Sequence, residues 1–257
     1  MTTSLLKKTR KINMLLQRAG GDPVNLNSLA EILSDNIDAN CYIVNEQGKI
    51  LGYYLVDHME TAALKPENSD LYFDVEFNQT MLHITDARSF NKVDDGDILT
   101  EDGPIKHKFL MVVPIKGRGD RLGNLLLSRS EDDFVEDDYI LAEYGATVAA
   151  LEVLRQKNEE MEEMERKIAA VRIAVDTLSF SEIAAMKKIF ENLEGNEGYL
   201  VASKIADEAQ ITRSVIVNAL RKLESAGVIQ SRSLGMKGTY IKILNDLLKE
   251  EFERRDM

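Results

Sequence analysis

The sequence predicts an α+β chain. An N-terminal domain is built on an antiparallel sheet with flanking helices, a long linker helix follows, and a winged helix-turn-helix ends the chain. Three observations carry this. Apolar runs of strand length alternate with glycine-bearing turns over 39–55 and 109–128. Apolar stripes spaced by three and four continue for about forty residues from Glu136. Residues 200–243 read as helix, turn, helix, hairpin. The predicted boundaries are 1–155, 156–178 and 179–257.

In chain order, 3–18 is an amphipathic helix with Leu5, Ile12, Leu15 and Leu16 on its apolar side, and Gly20 to Pro23 breaks it. Leu26, Leu29, Ala30, Leu33 and Ile37 mark a second helix, capped by Asn25 or Asn27. Ala39 to Leu55 is a hairpin turning at Asn45-Glu46-Gln47-Gly48. Residues 56–106 pattern weakly and read as functional or mobile loops. Phe109–Ile115 and Asn124–Ser128 are strands around a long turn, Lys116 to Gly123. The long helix has an early stripe (Leu141, Tyr144, Val148, Leu151) and a later, coiled-coil-like one (Met161, Met164, Ile168, Val171, Val175, Leu178). Ser179 to Leu193 is a further helix, and Glu194 to Gly198 is a turn.

The C-terminal module is the most explicit. Ala202–Ala209 is a short helix, Glu208 to Ile211 a tight turn, and Thr212 the N-cap of a helix over Arg213–Ala226. Val215, Ile216, Ala219, Leu220 and Leu223 form the buried side of that helix, and Gly227 ends it. Arg213, Ser214, Val217, Asn218, Arg221 and Lys222 fall on the other side. Strands from Val228 and over Thr239–Ile243 flank a turn, Leu234 to Gly238. Between Ser203 and Lys242 there are seven basic and three acidic residues, inside a chain of net charge −12. A basic island in an acidic chain favours a targeted contact with duplex DNA through counterion release. The candidate DNA-binding residues are Ser203, Lys204, Thr212, Arg213, Ser214, Val217, Asn218, Arg221, Lys222, Ser231 and Lys237.

Composition excludes other classes. No apolar run reaches the roughly 18–20 residues of a membrane span. The basic N-terminus lacks the apolar core and cleavage site of a secretion signal, so the expected location is the cytoplasm. Cys41, the single cysteine, reads as a buried core thiol. The three histidines, His58, His83 and His107, stand apart without a partnered Cys, Ser or carboxylate at a telling spacing. Neither a catalytic site nor a metal site is predicted, and the chain is not expected to be an enzyme.

Helices flanking an antiparallel sheet, with a long helix leading to an output module, is the layout of GAF- and PAS-type sensors. The segment GNEGYLVASKIADEAQITRSVIVNALRKLESAGVIQSRSLGMKGTYIKI resembles the signature of the CodY family of global transcriptional repressors. The resemblance continues in LLKKTRKINMLLQ, QGKILGY, DRLGNLLLSR and DDYILAEYGATVAALEVLR. It spans most of the chain and fails mainly between 56 and 106. It implies a GAF-like domain that binds branched-chain amino acids, isoleucine above all, with GTP as a second co-effector; no tightly bound cofactor is expected. It also implies homodimers, AT-rich palindromic operators, and DNA binding when effector is plentiful.

The chain departs from that pattern at both effector sites. Where the family has Ser-Arg-Arg-Gly-Lys near the nucleotide, this chain has Asn45-Glu46-Gln47-Gly48-Lys49. An arginine pair donates to phosphate in forked fashion; glutamate repels it. Lys49, Glu152 and Lys157 still match positions near the nucleotide. The family's carboxylate-pairing arginine is missing from 57–66, which leaves Lys65 or Arg88 as substitutes. Tyr53, Tyr72 and Phe73 are candidate pocket walls. The alternative is a DNA-binding regulator whose N-terminal domain is a dimerisation or partner module with altered or lost ligand specificity.

Overall fold

Of the two asparagines offered as a cap, Asn25 does the work. Its side-chain oxygen accepts from the Ser28 N–H at 3.0 Å, and helix α2 (Leu26–Ile37) follows it. The chain before it is α1 (Thr2–Ala19). The structure is a computed structural model describing residues 2–19, 22–57, 65–67, 70–96, 98–100, 103–193, 195–235 and 238–254. It divides into two compact units, 1–157 and 158–257.

The first unit continues through β1 (Asn40–Asn45), β2 (Ile50–Tyr54), β3 (Lys65–Glu67), β4 (Asp70–Tyr72), α3 (Val75–Leu82), β5 (Arg88–Asn91), β6 (Phe109–Gly117) and β7 (Asp120–Arg129). Five of these strands form an antiparallel sheet in the order β2-β1-β7-β6-β5, and β3 pairs with β4 separately. Successive side chains of a strand point to opposite faces, and both faces here are buried. Cys41, Ile43, Met111, Val113, Leu125 and Leu127 join Ile12, Leu29, Leu33, Ala142 and Ala149 in one core under the helices. Tyr42, Val44, Leu110, Val112 and Leu126 join Phe73, Met81, Phe90, Leu99 and Ile105 in a second core on the other face.

That second core corrects the reading of 56–106. Where described, this segment is not only loop: it supplies α3, β3, β4 and β5 and covers a sheet face. Its elements are three to eight residues long, too short to show a period. The predicted long turn at 116–123 is also corrected. β6 and β7 pair up to Gly117↔Asp120, and only Arg118 and Gly119, both at positive φ, make the turn.

Gly52 sits where α2 crosses β2. A Cβ built there lies 2.5 Å from the Leu26 carbonyl carbon, so only glycine permits this approach.

Helix α4 (Glu136–Asp176) is continuous for 41 residues. Leu141, Ala142, Ala146, Val148, Ala149 and Val153 belong to the first unit's core, and Val171, Ala174 and Val175 to the second's. The predicted early stripe is off at one position. Leu151 is 60 % exposed, because the buried side runs through Ala149, Ala150 and Val153 instead.

The second unit adds α5 (Phe180–Glu191), β8 (Glu197–Leu200), α6 (Ala202–Glu208), α7 (Arg213–Ser225), β9 (Ile229–Ser233), β10 (Thr239–Ile243) and α8 (Leu247–Arg254). A capping box starts α5: Ser179 and Glu182 bond each other's backbone N–H. The predicted turn at 194–198 ends instead in a strand, since β8 pairs with β10 to make a three-stranded sheet, β8-β10-β9. Glu197, Gly198 and Tyr199 offer no alternating apolar signal. Val171, Val175, Met186, Ile205, Ile216, Leu223, Ile241, Leu248 and Phe252 make this unit's core.

Gly52→Ala is expected to destabilise the protein by about 2–3 kcal/mol, the usual cost of forcing extra volume into a packed contact. Chemical denaturation followed by circular dichroism measures it, and an unchanged midpoint would show that α2 can lift off β2 freely.

Candidate functional site

The apolar side of α7 determines what its other side can present. Ile216, Ala219, Leu220 and Leu223 are buried, and fully burying a side chain such as Ile216 or Leu223 contributes roughly 1.5–3 kcal/mol. The helix cannot roll without losing that. Arg213, Ser214, Val217, Asn218 and Arg221 are therefore held outward as one stripe. Helix α6 precedes it through a tight turn in which Gln210 has φ 53° and the Ile211 N–H donates to the Ala206 carbonyl at 3.0 Å. Ser203 and Lys204 are exposed on α6, the lysine 3.9 Å from Glu208. Gly227 follows α7 at φ 70°, as its C′ position requires.

Thr212 occupies the N-cap position of α7, but its hydroxyl does not cap. It lies 2.8 Å from the Ser214 hydroxyl and reaches no backbone N–H. Exposed first-turn N–H groups and the positive end of the helix dipole thus face the side where Arg213 projects.

Two predicted contacts are committed elsewhere. Lys222 Nζ donates to the Glu182 carboxylate at 2.7 Å and to the Thr177 carbonyl at 2.9 Å. Burial works against the charge on Glu182. The bonds from Lys222 and from Ser179 outweigh it and hold the carboxyl below its ordinary range. Ser231 is bonded to Glu224 through both its N–H and its hydroxyl, at 2.9 and 3.0 Å. Lys237 lies outside the described residues. Arg232, counted in the basic island but not selected as a site residue, is exposed on β9 opposite Tyr240, whose ring lies tilted against that of Tyr199 with centroids 5.3 Å apart. Strand register alone placed it there, and the sequence offered only its charge.

In the first unit the candidate effector residues scatter. Lys49 Nζ pairs with Asp70 at 2.6 Å. Lys157 Nζ pairs with Glu46 at 2.9 Å; this bond, with one from Gln47, holds the Glu46 carboxyl low. Glu152 is buried. Desolvation pushes its carboxyl up, but bonds from Arg155, the Val24 N–H and Gln156 together bring it below the usual value. Phe73 is buried edge-on to Tyr42, and Tyr72 is half-buried. Tyr53 is exposed. Arg88 is exposed with its guanidinium 5.0 Å from the Phe90 ring. The side chain of Lys65 lies outside the described residues. These residues do not converge on one cavity.

One residue that the sequence did not mark does carry a polar signal. Asn124, on β7, shares the sheet face of Leu126 and is fully buried. Its Oδ1 accepts from Arg121, whose guanidinium also holds the Ile84 and Gly123 carbonyls. Its Nδ2 has no acceptor among the described residues. A buried donor without a partner is costly, and nothing in the local sequence announces it.

The histidines differ from expectation too. His107 bridges the Ser128 hydroxyl at 3.1 Å and the Asp57 carboxylate at 2.7 Å. Ser128 and His107 are buried, and the bridge ties Asp57 to the sheet. His58 lies outside the described residues. Cys41 is buried in the helix-side core, and desolvation pushes its thiol far up.

Comparison with known proteins covers nearly the whole chain. The CodY GAF-like domain model matches residues 4–177, and the CodY helix-turn-helix domain model matches 196–255. The chain is 52 % identical over 257 residues to the global transcriptional regulator CodY of Thermoanaerobacter sp. strain X514, covering 98 % of each. It is 52 % identical over 258 residues to that of Bacillus pumilus strain SAFR-032, covering 97 % of this chain and 98 % of the relative. Among solved structures, the cofactor-binding GAF domain of the nutrient sensor CodY from Clostridium difficile aligns with 38 % identity. That alignment covers 60 % of this chain and 99 % of that one, with a TM-score of 0.47.

Lys222→Ala is expected to lower stability by about 1–3 kcal/mol, since it leaves the buried Glu182 carboxylate short of a charged donor. It should leave the salt dependence of duplex binding unchanged. A slope of log affinity against log salt that drops by about one unit would return Lys222 to the phosphate contacts.

Proposed function

The chain belongs to the CodY family, and we propose on that premise that it is a global transcriptional regulator, mainly a repressor, that inserts α7 into the major groove of operator DNA. It is not an enzyme. The observation that carries the reading is the stripe Arg213, Ser214, Val217, Asn218 and Arg221, exposed on a helix whose opposite side is locked in the core. Arginine donates to the acceptors of guanine or to phosphate, asparagine pairs with the adenine edge, and an apolar side chain packs on the thymine methyl. Val217 and Asn218 stand side by side, which suits A·T pairs and supports AT-rich operators. Ser203 and Lys204 on α6, Thr212, and the wing residues Arg232 and Lys237 take phosphates, which position the reader without specifying sequence. Ser231 and Lys222 drop out of the contact set. A palindromic operator needs two readers related by a two-fold axis, so the binding species is a homodimer. It works in the cytoplasm, where the DNA is, and no helix among the described residues is long and apolar enough to cross a membrane.

The N-terminal domain is the sensor. Its effector is a branched-chain amino acid, isoleucine first, taken up on the sheet face that carries Asn124. The unpartnered Asn124 Nδ2 supports this, because a ligand carboxylate would accept from it. GTP is not supported as a co-effector. Lys49 and Lys157 are paired with Asp70 and Glu46, and Glu46 stands where a triphosphate would need cations.

Arg213→Glu is expected to weaken operator binding by about 2–3 kcal/mol or more, roughly 30- to 150-fold, with the fold intact. A gel shift with unaltered affinity and normal circular dichroism would remove α7 from the groove. Isoleucine is expected to raise the melting temperature of the wild-type protein and not that of Asn124→Leu, while GTP with Mg²⁺ raises neither. No shift from isoleucine, leucine or valine, with DNA binding intact, would instead make the N-terminal domain a partner module.

A further inference from the structure

Strand β8 gives the wing a third strand, and with it a broad outer face. Ile241 and Ile243 on β10 are buried in the core of this unit. Alternate side chains of a strand take opposite faces, so Tyr240 and Lys242 point outward. Register then sets two rows across the sheet. Tyr240 stands between Tyr199 on β8 and Arg232 on β9, and Lys242 stands between Glu197 and Gln230. Tyr199 is 70 % exposed. Glu197, Gln230, Arg232 and Lys242 are exposed as well, and Tyr240 is half-buried.

Glu197 is the one acid in these two rows, and it sits among donors. Its Oε2 accepts from the Tyr240 hydroxyl at 2.7 Å and lies 3.6 Å from Lys242 Nζ. The tyrosine bond, then the lysine charge, hold its carboxyl below the ordinary range, so it is ionised at neutral pH. An exposed pair of this kind adds little to the stability of the fold. Arg232 makes no ion pair among the described residues. The face therefore offers the charge of Arg232 and withholds that of Lys242. A carboxylate oxygen that accepts from a lysine and a hydroxyl fills the place a phosphate oxygen would take.

We propose that Glu197 is an internal competitor of DNA phosphate on the outer face of the wing. It occupies Lys242 and the Tyr240 hydroxyl, and so holds down the affinity for duplex of any sequence. The duplex backbone is the occupant the charges favour, because without this carboxylate the two rows hold two cations, two phenols and an amide. Weaker phosphate attraction suits a regulator that must find its operator among a genome of nonspecific sites. The proposal rests on the DNA-binding reading of this module and names a residue that limits it.

Fluorescence anisotropy of the full chain on a mixed-sequence duplex, followed through a salt series, tests it. Glu197→Gln removes the charge and keeps an acceptor for Tyr240, and circular dichroism confirms the fold. This variant is expected to bind roughly three- to tenfold tighter at about 0.1 M salt, with a slope of log affinity against log salt steeper by about one unit, because Lys242 gains a phosphate. Adding Lys242→Ala is expected to return affinity and slope to the wild-type values. Glu253→Gln removes a charge from an exposed position of α8 and is expected to change neither. Glu197→Gln with wild-type affinity and slope would overturn the proposal. So would an equal gain from Glu253→Gln, which marks a general charge effect, or a gain that survives Lys242→Ala. Arg213→Glu on an AT-rich palindromic duplex separates the two readings. If it weakens binding while Glu197→Gln changes nothing, α7 stays in the groove and the competitor role falls. If it leaves binding intact while Glu197→Gln strengthens it, the groove reading falls and the competitor role stands.

Discussion

Helix α4 is buried in one hydrophobic core of each unit, and each unit is incomplete without its share of it. In the first, Ala142, Ala146 and Ala149 let the helix lie close on the sheet face that Cys41, Ile43, Met111 and Val113 line. Small residues serve there because the sheet side chains fill the space. In the second, Val171, Ala174 and Val175 pack with α5, α7 and the residues of α8. The 41 residues of the helix are long enough to supply both, with a polar, acidic stretch between the two buried segments.

Helix α7 shows how a polar face is built from apolar packing. Its exposed side is useful because its buried side cannot move. Lys222 adds a second constraint by joining α7 to Glu182 in the first turn of α5 and to the Thr177 carbonyl at the end of α4. A basic residue on a recognition helix is easily assigned to DNA. Here its reach is taken up within the protein, and the carboxylate it meets is itself needed to cap α5. The neighbouring Arg221 is exposed and makes no such ion pair among the described residues.

The sensor unit solves the opposite problem, a sheet that must be buried on both faces. The helical cover was legible, because Leu26, Leu29, Leu33 and Ile37 repeat at helical spacing and Asn25 opens the helix. The other cover was not. Phe73, Met81, Phe90, Leu99 and Ile105 come from separate short elements and cohere only once the sheet brings them together. The same is true of polar partners. Glu46 with Lys157, separated by 111 residues, and His107 with Asp57, separated by 50, are contacts that no local pattern encodes. The missing arginines could be read from the chain, but which carboxylates now occupy the lysines could not.

From the sequence alone came the main helices and hairpins, the helical contributions to the cores, the glycine that ends α7, and the excess of basic charge around that helix. These are determined locally, by spacing, caps and composition, and so they survive without coordinates. Only the tertiary structure decided which side chains of that basic set remain available and where β8 joins the wing. It also decided that Leu151 faces solvent and that Asn124 is buried with an amide donor unspent. Each depends on groups distant in sequence arriving at one place, where burial and pairing compete and geometry chooses the outcome.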